Sequence, residues 1–375
     1  MKNYQPKIAI VHEYLTRMGG AEKVAKVLSD LFPSARIFTL LYDHKNCGGF
    51  FPLWKVETSR LQNFPKFMRR RPKLLLPFIQ TAVEEWDFTD YDLVISSSSA
   101  FAHGIITPLH TRQICYCHSP ARFLWDYTHE YLRENKIRGF KKILANSILK
   151  DLRIWNKLSA KRVDRFVANS VTVQKRIQKY YRVDSDVVHP PVEVAKIKMG
   201  MSHQNYFLIV SQLTAYKKID LAISVFNKLR RRLVIVGDGP QRRFLESIAG
   251  PTIEFHGWKS DAEVGELLKN CRGFIFPGED DFGIAPVEAM AAGKPVLAFK
   301  RGGATETVIH KKTGILFSEQ TSESLEQGLA DLFANEKKFQ PAKIRAHAKI
   351  FSREIFESKI QKIVAEEFAK IKNND

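Results

Sequence analysis

Short apolar runs alternate with longer amphipathic stretches along the whole of this 375-residue chain. In the first half the runs are Ile8–Val11, Ile37–Leu40, Leu93–Ser96, Ile114–Cys117, Phe166–Ala168 and Val187–His189. In the second half they are Phe207–Val210, Leu233–Val236, Ile253–Phe255, Gly273–Phe276, Val296–Ala298 and Ile315–Phe317. Unbroken apolar runs this short suit strands covered on both faces. Helical periodicity falls between most of them, so the pattern predicts an α/β protein with two parallel sheets and helices on both sides of each. His189-Pro190-Pro191 to Gly200-Met201 carries Pro and Gly without an apolar period and reads as a linker. The expected domains are therefore 1–195 and 196–351, with an amphipathic helix over 352–375 packing back on the first.

A chain of this length outgrows a single hydrophobic core, and an apolar fraction of 44% is enough to fill two. There is no charge-free apolar run of about 18 residues and no amino-terminal signal pattern, so a cytoplasmic protein is expected. Cys47, Cys115, Cys117 and Cys271 lack metal-ligand spacing, which points to free thiols.

Charge is unevenly divided. Residues 1–200 hold 33 Lys and Arg against 18 Asp and Glu, a net +15, whereas residues 201–375 hold 26 against 22, a net +4. The first half thus suits an anionic partner. Nucleic acid is not expected, because no zinc finger, basic zipper or aromatic RNA-reading motif accompanies the charge. An anionic membrane surface fits better: Lys66 to Leu76 interleaves Arg69, Arg70, Arg71 and Lys73 with Phe67, Met68 and three leucines, and Arg138 to Arg162 repeats the theme at helical spacing. The bland alternative is a solvated basic face.

In open α/β sheets ligands bind beyond the carboxyl ends of strands, so the turns there carry the chemistry. The richest follows Phe274-Ile275-Phe276, where Pro277 to Asp281 leads into Phe282-Gly283-Ile284-Ala285-Pro286. Pro286 is tolerated only in a helix's first turn, which places a helix start near Gly283 to Ala285. The free N–H groups of that start would receive a phosphate or a sugar hydroxyl, and Asp280 and Glu288, eight positions apart, can accept from hydroxyls. Gly19-Gly20, Gly237-Asp238-Gly239-Pro240 and Gly302-Gly303 recur at other strand ends, each alone no more than a tight turn. Gln212 to Lys218 follows the first strand of the second half, where a lysine can neutralise a departing diphosphate or be mere surface charge. Cys117-His118-Ser119-Pro120-Ala121-Arg122 brings an imidazole and a guanidinium to one turn, and His118 has the better claim to a ligand.

The His12 to Glu22 loop, Asp92 to Ser98, His118 to Arg122, Val167-Ala168-Asn169-Ser170, Lys217, Gly237 to Pro240 and the Asp280 to Glu288 block together resemble the retaining family-4 glycosyltransferases, most of all bacterial O-antigen mannosyltransferases. The resemblance implies the GT-B fold, two Rossmann-like doubly wound domains facing across a cleft. It implies a nucleotide-sugar donor, GDP-mannose foremost, with Glu288 on the ribose and Lys217 on the diphosphate. The N–H groups of Phe282, Gly283 and Ile284 would face the sugar, Gly19 and Gly20 would close over the phosphates, and His118 would meet the sugar from the first domain. Trp258 and Lys259 lie where the family tends to hold the base. His118, Lys217 and Asp280 are the expected catalytic groups. Gln212, Lys218 and Gly237 complete the donor set, and Arg122, Arg69, Arg70, Arg71 and Lys73 serve the acceptor or membrane. The acceptor implied is a polyprenyl-diphosphate-linked saccharide at the inner leaflet, in lipopolysaccharide synthesis. No cofactor and no metal are expected. Two positions depart from the family, which usually has Glu in place of Asp280 and Arg in place of Gln212; Lys218 and Glu279 are the candidates to compensate. A sugar-nucleotide 2-epimerase on the same fold, and a basic membrane- or nucleic-acid-binding module with a degenerate pocket, are the alternatives.

Overall fold

Buried on both faces, the apolar runs of the first half assemble into a parallel sheet of seven strands in the computed structural model, which describes residues 6–372. They are β1 (Ile8–Leu15), β2 (Arg36–Tyr42), β3 (Val56–Thr58), β4 (Leu93–Ser98), β5 (Arg112–Cys117), β6 (Arg165–Ala168) and β7 (Ser185–Val187), in the order β3-β2-β1-β4-β5-β6-β7. A second parallel sheet has β8 (Phe207–Val210), β9 (Leu233–Val236), β10 (Ile253–Gly257), β11 (Gly273–Phe276), β12 (Val296–Phe299) and β13 (Gly314–Phe317), in the order β10-β9-β8-β11-β12-β13. Each sheet is doubly wound. Its winding reverses once, between β1 and β4 in the first, where His12 pairs with Ser97, and between β8 and β11 in the second.

The chain divides into two compact units, one reaching to His189 and resuming at Glu357, the other Pro190–Phe356. The second core is built from its strands and the helices Ile219–Leu229, Ile284–Ala291 and Ser322–Ala334. The last helix, Arg353–Lys372, gives its first turn to the second unit and the rest to the first, where fully buried Glu367 accepts hydrogen bonds from Arg112 Nη2 at 2.7 Å and Lys370 Nζ at 2.6 Å. Residues 373–375 of the expected terminal helix lie outside the described residues.

Several local expectations change. Val56-Glu57-Thr58 forms an edge strand too short and too polar to stand out as a run. β1 continues four residues past Val11, because the polar His12 and Glu13 are buried and hydrogen-bonded rather than turned to solvent. β7 lies two residues earlier than its apolar run. The linker is no free tether: Val192 and Val194 are buried in the second core, the Val192 N–H donates to the Phe351 carbonyl at 3.0 Å, and Arg345 donates to the carbonyls of Val194 and Ile197 at 2.9 and 2.6 Å. Alternating valines and a guanidinium thus do what periodicity over a short segment could not reveal.

Candidate functional site

The second sheet's winding reversal separates the turns after β8 and β11, and two charged side chains meet there. Lys217 ends the short helical turn Ala215–Lys217, and its Nζ donates to Asp280 Oδ2. The backbones come together because position 278 lacks a side chain: a β-carbon on Gly278 would fall 2.7 Å from Lys217 Cα. Burial disfavours a charge on Lys217, but Asp280, then Tyr216 and Asp281, hold its pKa above the ordinary lysine value. The ammonium also lies 5.8 Å from the Phe276 ring centroid. The hydroxyl of Thr214 in the same turn is shielded and finds no hydrogen-bond partner among the described residues.

Beyond Asp280 the chain turns through Gly283 at φ +85° into the helix Ile284–Ala291, which begins where the position of Pro286 places it. The Phe282 ring is buried 5.6 Å from that of Phe351, which anchors this turn. Ile284 opens the helix and Glu288 lies one turn along it, partly buried. Gly237 follows β9 at φ +126°, with no room for a side chain against the Ser211 carbonyl. Trp258, 75% exposed, follows β10, and Lys259 Nζ donates to Glu263 at 2.8 Å. Gln212 and Lys218 are exposed, the latter in the left-handed region at φ +52°. These turns all lie at strand carboxyl ends, where open α/β sheets bind their ligands.

The first sheet's reversal holds a buried polar cluster in which sequence reasoning assigned a role to His118 but none to His12, Glu13, Ser97 or Ser98. Glu13, from β1, accepts from the Ser98 hydroxyl at 3.0 Å and from the N–H groups of Ser99, Ala100, Phe101 and Ala102 at 2.8 to 3.0 Å. His12 Nδ1 lies 3.1 Å from Ser97 Oγ, which lies 2.8 Å from His118 Nε2. His12 Nε2 faces Glu22 Oε1 at 4.0 Å, while the Gly19 N–H donates to Glu22 Oε2 at 3.0 Å. The amide of Gly19 is thereby satisfied internally and is not free for an anion; Gly20 opens the helix Gly20–Leu31. The signal was present: a His-Glu pair and a run of serines sit at the ends of two apolar runs, where a two-faced strand buries whatever it carries.

Electrostatics divides the two histidines. Burial opposes a charge on His12, yet Glu22 and then Glu13 raise its pKa above the ordinary value. Burial, reinforced by the neighbouring His12, pushes His118 down to about 4. Burial also takes His103 down to about 4. Glu13 and Glu22 stay below the usual carboxylate range because His12, with backbone N–H groups at Glu13, outweighs burial.

The basic residues lie elsewhere in the first unit. Arg70, Arg71 and Lys73 are exposed and Arg69 partly buried, beside exposed Phe67, Leu74 and Phe78. Lys73 donates to Asn135, and Arg122 faces Asp126 at 3.8 Å and the Tyr127 ring at 5.4 Å. The helix Phe140–Ser159 leaves Phe140, Ile143 and Leu144 exposed by 79%, 68% and 56% beside Lys141 and Lys142. Among the described residues no helix is long and apolar enough to cross a membrane, and no group of three His, Cys, Asp or Glu is placed to hold a metal ion.

The profile of the family described as Glycosyltransferase Family 4 matches residues 18–196, and that of Glycosyl transferases group 1 matches residues 196–349. An uncharacterized glycosyltransferase of Methanocaldococcus jannaschii is 26% identical over 200 residues, 52% of this chain and 56% of that protein. The O-antigen chain mannosyltransferase C of Escherichia coli is 26% identical over 185 residues, 46% of this chain and 50% of that protein. The chain thus spans about half the length of each of these relatives. A solved structure, Anabaena Alr3699/HepE in complex with UDP, superposes with a TM-score of 0.71 at 17% identity, covering 96% of this chain and 100% of that one, which shows a shared fold.

The titration of the first-unit histidines follows from their surroundings. An unfolded chain protonates His118 and His103 near 6.5, the folded chain only near 4, so between these values the unfolded state binds more protons and stability falls as pH drops. His12, raised, acts oppositely, its contribution being lost as pH climbs through its folded pKa. Imidazole C2–H signals followed by NMR should show His118 neutral down to about pH 5 and His12 still charged above pH 6.5; a His118 midpoint at 6.5 would contradict the cluster's electrostatics.

Proposed function

The chain belongs to the family-4 glycosyltransferases of GT-B fold, and on that premise we propose that it transfers a hexose, mannose from GDP-mannose, to a polyprenyl-diphosphate-linked saccharide in bacterial surface-polysaccharide synthesis. The observation that carries this reading is the charged Lys217 at the second sheet's winding reversal, in the turn that also leaves the Thr214 hydroxyl unpartnered. A nucleoside diphosphate would replace the Asp280 carboxylate as Lys217's counter-ion and use the start of the helix Ile284–Ala291. Asp280 and Glu288 would then accept from the donor's hydroxyls, with Glu288 on the ribose, the N–H groups of Phe282, Gly283 and Ile284 toward the sugar, and the exposed Trp258 and Lys259 near the base. Lys218 would supply the cation that Gln212 lacks. His118 is assigned to the sugar. The O-antigen mannosyltransferase among the relatives supports the choice of mannose.

The reaction in this reading retains configuration. The bond from the anomeric carbon to the diphosphate oxygen breaks, a bond to the acceptor hydroxyl forms on the same face, and the hydroxyl proton passes to the departing diphosphate. No protein nucleophile is required, and Lys217 serves by stabilising the charge that develops on the leaving group. Lys217→Ala should lower turnover of GDP-[14C]mannose into the lipid-linked product about 100-fold, while a chelator leaves the native rate unchanged. Near-normal turnover of the variant removes Lys217 from catalysis, and loss of activity in chelator overturns the metal-free mechanism.

The acceptor would be reached from a membrane surface. Exposed Phe140, Ile143 and Leu144 among lysines, together with Arg70, Arg71 and Lys73 near Phe67 and Leu74, give both the wedge and the charge that an anionic bilayer attracts. Each cation near such a surface is worth about 1 kcal/mol. Co-sedimentation with vesicles of anionic lipid should fall at least tenfold in the Phe140→Ala, Ile143→Ala, Leu144→Ala variant; unchanged binding assigns this helix to another role.

A further inference from the structure

The hydrogen bonds around His12 fix where the proton of His118 sits. His12 Nδ1 lies 3.2 Å from the backbone carbonyl of Ser97, a group that only accepts, so this nitrogen carries a proton. Ser97 Oγ, 3.1 Å from the same nitrogen, therefore receives as well, and its own proton is left for His118 Nε2 at 2.8 Å. A neutral imidazole that accepts at Nε2 bears its hydrogen at Nδ1. No hydrogen bond to His118 Nδ1 forms among the described residues. The upstream end of the row is rigid: His12, Glu13 and Ser97 are each buried, Glu13 is held by the N–H groups after β4, and Glu22 faces the outer nitrogen of His12.

We propose that His12 and Ser97 are positioning residues that lock His118 in the tautomer protonated on Nδ1, presenting a neutral hydrogen-bond donor of fixed direction to a hydroxyl of the donor sugar. The contact with sugar rests on the glycosyltransferase reading, whereas the tautomer rests on the first unit alone. Both sides of the row matter. An imidazole without this neighbour would exchange between tautomers and offer either a donor or an acceptor at the same place, and a charged one would repel the developing positive charge of a sugar losing its leaving group.

The full chain, labelled with 15N in its histidines and free of ligand at pH 7, tests the lock by long-range 15N–1H NMR. The native spectrum should show His118 protonated at Nδ1 and bare at Nε2. Ser97→Ala, which removes only an oxygen, should move His118 toward the Nε2-protonated form. His12→Asn, which sets an amide N–H where Nδ1 was, should leave the native tautomer in place. A native His118 protonated at Nε2, or one unmoved in Ser97→Ala, overturns the proposal. In the mannosyl transfer assay Ser97→Ala should lose about tenfold in kcat with the donor KM within about twofold, the scale of one neutral hydrogen bond made in the transition state. A shifted tautomer with native kcat would overturn the sugar contact and leave the lock standing. A native protein that transfers no hexose would defeat the functional reading while the spectrum still decides the tautomer.

Discussion

Where a parallel sheet reverses its winding, two neighbouring strands send their connections to opposite faces and their carboxyl ends open onto a crevice no helix fills. The chain places a cluster of charged and polar side chains at each of those two points. At the second, Lys217 after β8 meets Asp280 after β11, brought together by Gly278. At the first, His12 and Glu13 at the end of β1 meet Ser97 and Ser98 at the end of β4. The remaining architecture holds these four strand ends in place.

The two sheets share a winding but differ in electrostatics. In the first, the N–H groups of Ser99 to Ala102 form a ready anion site, and Glu13 already fills it. That carboxylate is bearable in a buried setting because hydrogen bonds and His12 compensate it. The consequence is a buried cluster in which hydrogen bonds and His12 compensate Glu13, with His118 as its uncharged outer member. In the second, the cation is paired with Asp280, with Asp281 nearby, and lies in the same turn as a shielded hydroxyl with no partner among the described residues.

Apolar runs bounded by turn residues reveal most of the strands, and Pro286 after a glycine locates the helix start at Ile284. They fail where polarity is buried or an element is very short. β1 outlasts its apolar run because His12 and Glu13 find partners 85 residues away and beyond, which no local pattern can display. Val56–Thr58 is too brief for alternation to register, and the Val192 to Gly200 stretch is ordered by Arg345 and Phe351, far along the chain. In the site, Lys217 and Asp280 were legible as members of separate turns, but not as an ion pair. Gly19 reads as part of a tight turn, and the return of Glu22 onto its amide is hidden because it depends on the side-chain geometry of one helical turn.

The most direct test of the central claim, that the second sheet's winding reversal is a nucleoside-diphosphate site, is a thermal-denaturation titration of the intact protein with GDP, UDP and ADP in the absence of metal. The account predicts that GDP at about 100 times its dissociation constant stabilises the fold by about 2.7 kcal/mol, with smaller effects from the other two. No stabilisation by any of the three nucleotides would contradict it.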